Sequence, residues 1–464
     1  MNLRTLLAVW TGKGVVTATR LAGRGGTSLP GAVARKLAPN VLRDLSKQPR
    51  HGVIAISGTN GKTTTAKMLS AMCEAAGWPV THNRAGANLI SGVTTAFLQS
   101  ASWTGRVGGA VALMEVDEAT MPRACEEIRP KAAVVTNFFR DQLDRFGELE
   151  HTVDFVGRGL DRLAKGGRVA LNADDPNCAA LGERPAVTPI YYGIQDPSVG
   201  TAEMTQAADA KHCVHCGAAY EYEVFYYAHL GKYRCPQCGS SRPEPEVYAD
   251  RIWNMDARGT DLHVVTPQGD FEVRLQIPGL YNVYNALAAT AGGLALGLPL
   301  EALKEGLART TSQFGRMELI HMGDRDVYMA LVKNPAGFNS VLQTVMQGDS
   351  RKNLLFCIND LDADGTDISW LWDVDFEGLA ARQDEISFVI CSGLRAEEMA
   401  VRLKYAGMDT AKLSVQKDLE KALDQGLGLI KTGELLHIMP TYTAMLEMRG
   451  IIAKRGYVRK YWEV

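Results

Sequence analysis

The stretch His51–Lys67, HGVIAISGTNGKTTTAK, constrains this chain more than any other. A short apolar run, Val53–Ile56, predicts a buried strand. The turn Ser57–Gly61 follows, then Lys62, Thr63 and Thr64, then helical spacing at Met68, Leu69, Met72 and Ala76. Strand, glycine turn and helix N-terminus form the geometry that binds a polyphosphate. Backbone N–H groups converge on the anion, the helix dipole favours it, and an ammonium plus a hydroxyl can serve phosphate and Mg²⁺. Ile56 holds the place of the first glycine in the full G-x-x-x-x-G-K-[ST] spacing, so the surrounding sequence has to carry part of the reading.

That sequence continues as strands alternating with helices. Gly109–Val116, Lys131–Thr136 and Gly167–Leu171 are further buried-strand runs, and the alternation predicts a doubly wound parallel α/β sheet. Acids at the carboxyl ends of such strands face the ligand crevice, which suits Glu115 to hold Mg²⁺ beside Thr63; the alternative is an acid capping the next helix. From Thr188 to Thr266 the runs shorten and alternate, as in Val247–Trp253 and Asp261–Val265, predicting antiparallel strands that carry an insertion. Phe314–Glu318 reads as a domain boundary. Beyond it Val327–Val332, Asn353–Ile358, Ile386–Cys391 and Glu434–Met439 predict a second α/β domain. A chain of 464 residues is too long for one ordinary core, and the expected division is 1–50, a basic segment, 51–312, a nucleotide-binding domain, and 313–464, a C-terminal domain.

The insertion, about 211–241, holds two Cys-x-x-Cys-Gly knuckles, Cys213/Cys216 and Cys235/Cys238. Four thiolates so paired can close a tetrahedron around Zn²⁺, leaving no open position, so the metal reads as structural; a redox dithiol and an Fe–S site are the alternatives. Asn282 and Asn285 lie three apart on one helical face, able to read a purine edge or to cap a helix end. Asn359–Asp373 packs five aspartates and two tryptophans into one loop. An EF-hand reading fails there, because no Glu stands at the twelfth position, which leaves a solvated acidic loop or a surface on which something packs.

A net charge of −2 gives no general reason to bind nucleic acid. Residues 1–50, however, carry nine Lys or Arg against one acid, Asp44, and show two short helical patterns around a Gly-rich loop, which reads either as a solvated basic arm or helix or as contact with an anionic membrane surface. No apolar run approaches the roughly 20 residues of a membrane span. Leu6–Trp10 is too short for a secretory signal, and nine cysteines, four in a metal pattern, also suit the cytoplasm.

Taken together these segments resemble the Mur ligase family of ATP-dependent amide-forming enzymes, which includes folylpolyglutamate synthase. The matching residues, in family order, are Gly58–Thr64, Glu115, Thr136-Asn137, Asp141 with Leu143-Asp144, Asn172–Pro176, Gly279 with Asn282 and Asn285, and Gly315–Glu318. The basic Gly-rich start, the cysteine ribbon, Lys333–Gly337, the Asp-rich loop and Thr441–Ala444 resemble the branch of that family that amidates lipid II. The resemblance implies ATP-dependent activation of the α-carboxyl of D-Glu in the lipid II stem peptide, as an acyl phosphate. Ammonia from a GatD-like glutaminase subunit would then give D-isoglutamine at the membrane surface.

It implies that Gly58, Thr59, Asn60, Gly61, Lys62, Thr63 and Thr64 hold the phosphates, Thr63 and Glu115 the Mg²⁺, Arg316 the γ-phosphate, and Asn282 and Asn285 the adenine. An aspartate among Asp360, Asp364 and Asp367 would complete the partner's Cys-His pair, with Asp364 and Asp367 favoured because they flank Gly365. Gln142, Phe146 and Tyr281 depart from the family pattern, and Thr152–Leu163 lacks a lysine that many members carbamylate. Two other functions fit the same residues: a single-chain amino-acid ligase, and a non-catalytic ATP- and zinc-binding module.

Overall fold

A computed structural model describes residues 3–21, 26–83, 87–140, 149–202, 209–256, 259–311, 316–346 and 351–458, with Arg316 described by its backbone alone. Its larger sheet has nine strands. The first six, β1 (Val53–Ser57), β2 (Val80–His82), β3 (Val111–Glu115), β4 (Ala132–Val135), β5 (Arg168–Asn172) and β6 (Thr188–Ile194), run parallel. After an insertion containing the hairpin β7 (Glu221–Tyr227) and β8 (Leu230–Arg234), the chain re-enters as β9 (Val247–Asp256), which joins them by pairing parallel with β6, and continues as β10 (Gly259–Thr266) and β11 (Gly269–Leu275). The spatial order is β11-β10-β9-β6-β5-β4-β1-β3-β2.

Every residue of β1, β3 and β4 is buried, because helices cover both faces. The order reverses at β1, with β3 and β2 on one side and β4 to β6 on the other, so a crevice opens beyond its carboxyl end.

Two features differ from the sequence expectation. Thr188–Ile194 extends the parallel sheet instead of opening the antiparallel region: Ile190, Tyr192 and Ile194 are buried against the same core as Ile54 and Val134, and the Tyr192 hydroxyl donates to the Val135 carbonyl at 2.9 Å. The basic segment is helical, as its patterns predict, but it is packed against the sheet domain instead of standing free in solvent. Its helices Leu3–Leu21, Leu29–Leu37 and Val41–Ser46 bury Ala8, Val9, Ala34, Leu42 and Leu45 in one core with Val53, Ala55, Val93 and Phe97. Close approach explains the fit at Gly31, where a Cβ would stand 1.9 Å from the Ser91 carbonyl oxygen.

The smaller sheet consists of β12 (Arg316–Met322), β13 (Arg325–Ala330), β14 (Lys352–Cys357), β15 (Ile386–Ser392), β16 (Leu413–Val415) and β17 (Leu435–Pro440), in the order β12-β13-β17-β14-β15-β16. It is parallel except for β12, which forms a hairpin with β13. The stretch read as a boundary therefore runs directly into the first strand of the second unit.

Candidate active site

The turn after β1 is held by the residues that follow β4. Thr59 N–H donates to the Asn137 carbonyl at 2.9 Å, Asn60 N–H to Asn137 Oδ1 at 2.9 Å, and the Thr136 hydroxyl to the Asn60 carbonyl at 2.7 Å. Gly58 and Gly61 sit at φ 116° and 87°, where a side chain is strained. A Cβ on Gly61 would also stand 2.0 Å from Asn285 Oδ1. Helix Lys62–Ala75 then begins with its N-terminus at the turn.

Thr63 Oγ1 donates to Glu115 Oε2 at 2.8 Å at the carboxyl end of β3, where Glu115 is almost wholly buried. Its other oxygen lies 3.1 Å from His82 Nε2 at the end of β2. Asn83 brackets the same residue, donating to the Glu115 carbonyl at 2.8 Å and accepting from its N–H at 2.9 Å. A hydroxyl and a carboxylate converging at a cavity floor are hard oxygen donors of the kind that suit Mg²⁺. Lys62 Nζ donates to Glu118 Oε1 at 2.8 Å and also to the Gly58 carbonyl.

These groups open onto a cavity of about 1060 Å³, walled on one side by Lys62, Thr63 and Glu115 and on the other by Lys333, Ser340 and Asp364 of the second unit. Lys333 Nζ reaches the Thr59 carbonyl at 3.3 Å, and Asn334 Nδ2 reaches Asn60 Oδ1 at 3.1 Å. Asn334 also caps helix Pro335–Val345 through the Gly337 N–H. Asn282 and Asn285 line the cavity and bond to each other at 3.0 Å, while Asn282 Nδ2 donates to the Pro278 carbonyl at 2.6 Å. Both side chains thus face the cavity, and neither takes a hydrogen bond from the N–H groups at the start of its helix.

The three loop aspartates separate. Asp364 is buried, accepting from the Thr443 N–H at 2.7 Å and from its hydroxyl, so it ties the loop to helix Tyr442–Lys454 and lines the cavity. Asp360 is ion-paired with Arg395, whose Nε stands 2.8 Å away. Asp367 is exposed and folds back onto Ser369, 2.8 Å from its N–H. The Arg316 side chain, Gly315 and residues 141–148, which include Asp141, Gln142, Asp144 and Phe146, lie outside the described residues.

In the insertion the sulfurs of Cys213, Cys216, Cys235 and Cys238 all lie within 4.8 Å of one another. Gly217 and Gly239, at φ 75° and 78°, turn the chain behind each pair. Burial raises the Cys213 thiol, but N–H groups of His215 and Cys216 and the Tyr220 hydroxyl outweigh it and bring the thiol to about 6. A four-sulfur set of this spacing fits a tetrahedral metal. The remaining cysteines are buried, and burial pushes the thiols of Cys73, Cys125 and Cys391 up to about 12, the reverse of what a nucleophile needs.

The ribbon is coupled to the cavity. Tyr227 and Leu230, at the β7–β8 turn, line it. Phe139 packs on Tyr227 and on His229 with ring centroids 5.3 and 4.8 Å apart. Where the insertion rejoins the sheet, Arg242 pairs with the fully buried Asp174, which also accepts the Tyr284 hydroxyl at 2.7 Å. Burial raises the Asp174 carboxyl and the Arg242 charge opposes it.

His82, Asn83, Lys333 and Asn334 join this site without having been singled out for a role. A three-residue strand gives no periodic signal for His82, whereas Lys333-Asn334-Pro335 carried one, a helix N-cap followed by proline.

Comparison with known proteins agrees with this architecture. The Mur ligase middle domain matches residues 56–293, and the MurT ligase C-terminal region matches residues 331–445. The chain is 36% identical to the Streptococcus pneumoniae (strain ATCC BAA-255 / R6) protein named lipid II isoglutaminyl synthase (glutamine-hydrolyzing) subunit MurT, over 99% of each chain. It is likewise 36% identical to the protein of that name from Staphylococcus aureus (strain N315), over 90% of this chain and 92% of the relative. Among solved structures, a pseudomurein peptide ligase type C from Methanothermus fervidus shares the fold with a TM-score of 0.68, at 24% identity, covering 89% of this chain and 80% of that one. The chain belongs to the Mur ligase family, in its MurT branch.

Proposed function

We propose that this chain is the ATP-using subunit of a lipid II isoglutaminyl synthase, amidating the α-carboxyl of D-Glu in the stem peptide to D-isoglutamine. The observation that carries the reading is near-full-length similarity to proteins named for that activity. The phosphate turn facing a MurT-type C-terminal region across one cavity supports it.

A carboxylate resists attack by an amine until it has a leaving group. In the first step a carboxylate oxygen bonds to the γ-phosphorus of ATP while the bond to the β-phosphate oxygen breaks, releasing ADP. In the second, ammonia nitrogen bonds to the acyl carbon, the carbon–oxygen bond to phosphate breaks, and a proton is lost from nitrogen. Gly58 to Thr64 and Lys62 hold the β and γ phosphates, with Lys333 adding a second cation from the C-terminal domain.

Thr63 and Glu115 would hold Mg²⁺, with His82 orienting the carboxylate. When bound, that ion neutralises phosphate charge. Asn282 and Asn285 face adenine, Arg316 serves the γ-phosphate, and the four cysteines hold a structural zinc. Ammonia comes from a GatD-like glutaminase subunit. Asp367, the exposed member of its loop trio, is the carboxylate best suited to serve that partner.

The test is mass spectrometry of lipid II incubated with this protein, its glutaminase, glutamine and ATP. Conversion of one carboxyl to a carboxamide supports the reading. Unchanged lipid II with both proteins otherwise active overturns it, and incorporation of an amino acid by this chain alone would assign it instead as a single-chain ligase.

A further inference from the structure

We propose that the outer face of helix Leu3–Leu21, with Trp103 beside it, is a docking surface for an anionic lipid bilayer. The helix has two apolar sides. One, with Ala8, Val9 and Val16, is buried in the core. The other is a stripe of Leu3, Leu7, Trp10 and Leu21, which are 71%, 47%, 43% and 85% exposed. Steps of four, three and eleven residues keep these positions on one face, and the gap between Trp10 and Leu21 is filled there by Gly14, Thr17 and Ala18, small residues that leave the stripe unobstructed.

Trp103, 64% exposed, sits against the stripe: its carbonyl accepts the Trp10 indole N–H at 2.7 Å, and the Lys13 ammonium lies 5.7 Å from its ring centroid. Paired tryptophans beside a lysine are the composition of a membrane–water interface.

Charge selects the occupant. Helix Leu3–Leu21 carries Arg4, Lys13 and Arg20 and no acid. The segment behind it exposes Lys36, Arg43, Lys47 and Arg50. The single acid of residues 1–50, Asp44, is turned inward and accepts the Thr5 hydroxyl at 2.6 Å. A second copy docked through this face would bring two basic surfaces together, whereas acidic phospholipid headgroups match them in sign. Among the described residues no helix is long and apolar enough to cross a membrane, so the contact is one of a helix lying on the surface.

The test is co-sedimentation of the full chain with phosphatidylcholine vesicles, with or without phosphatidylglycerol. It uses neither nucleotide nor glutaminase, so its outcome is separate from that of the amidation reading. Wild type is expected to partition roughly tenfold more strongly onto the anionic vesicles. The triple variant Leu3→Glu/Leu7→Glu/Leu21→Glu loses that binding while keeping its thermal unfolding curve, because all three positions are exposed. Arg4→Gln/Lys13→Gln/Arg20→Gln loses the preference for phosphatidylglycerol. Equal partitioning of wild type and the leucine variant overturns the proposal. So does a concentration-dependent dimer in sedimentation equilibrium that the leucine variant abolishes, which would give the face to a second copy.

Discussion

Lys62 and Lys333 reach the same acceptor, the carbonyl oxygen of Thr59, from two different domains, at 3.4 and 3.3 Å. On the proposed function, two ammonium groups directed at one point of the turn would supply the charge that a transferring phosphoryl group needs. Lys333→Ala is expected to lower kcat for ATP-dependent amidation about 10²-fold, with a smaller change in nucleotide affinity. A steady-state split of kcat from KM checks this; unchanged kcat would remove Lys333 from the chemistry.

His82 lines the cavity and contacts Glu115 Oε1 at 3.1 Å, so its replacement is expected to act through the carboxylate it orients. His82→Ala should raise the Mg²⁺ concentration for half-maximal turnover about tenfold, and Glu115→Gln should raise it further. Mg²⁺ titrations of the two variants, at saturating ATP, decide between an orienting histidine and a packing one.

Gly61→Ala adds a methyl group where φ is 87° and Asn285 Oδ1 already occupies the space. Backbone strain alone costs about 1–2 kcal/mol, and the added methyl would displace Asn285 from the side of the cavity proposed to hold the nucleotide. A lowered melting temperature together with loss of ATP binding by calorimetry is expected, whereas Gly428→Ala, in open space on a helix, should leave both unchanged.

Metal analysis should find one zinc per chain, and Cys216→Ser should abolish it. Because β7 and β8 pass from the cysteine pairs into the main core through Val224, Tyr227 and Leu230, loss of the ion is expected to expose the β7–β8 turn to hydrogen exchange while helix Lys62–Ala75 stays protected.

Burial among the strands of the smaller sheet, with a lesser push from Lys352, lowers the His437 imidazole to about 4. The unfolded chain therefore takes up this proton at a higher pH than the folded one, near 6.5. The contribution to stability is complete above that value and is lost as pH falls toward 4. Unfolding free energies from urea titrations at pH 7 and pH 5 should differ by about 2 kcal/mol more in wild type than in His437→Gln.

Much of this architecture was legible in the sequence because it is local. Val53–Ile56, Ala132–Val135 and Leu354–Ile358 are buried on both faces and so appear as unbroken apolar runs. β2 and β16, three residues each, are too short to show a period. β12 was hidden because its Met317 and Glu318 belong to a motif that reads as a joint. Site geometry divides the same way. Thr63 and Glu115 could be paired from strand ends, but the contact of Lys333 with Thr59 spans 274 residues and arises only when the two sheets meet. Asp364 and Asp367 look alike in sequence; a hydrogen bond to Thr443, 79 residues away, buries one and leaves the other in solvent.

The hairpin that carries Tyr227 and Leu230 gives the insertion a duty that loops on α/β enzymes seldom have. Such excursions are ordinarily the first parts that can be trimmed. Trimmed here, the reaction chamber would lose a wall while its nucleotide turn survived. Water would then compete with ammonia for the activated carboxyl, and the truncated protein would run a futile cycle, spending ATP and returning its substrate unaltered.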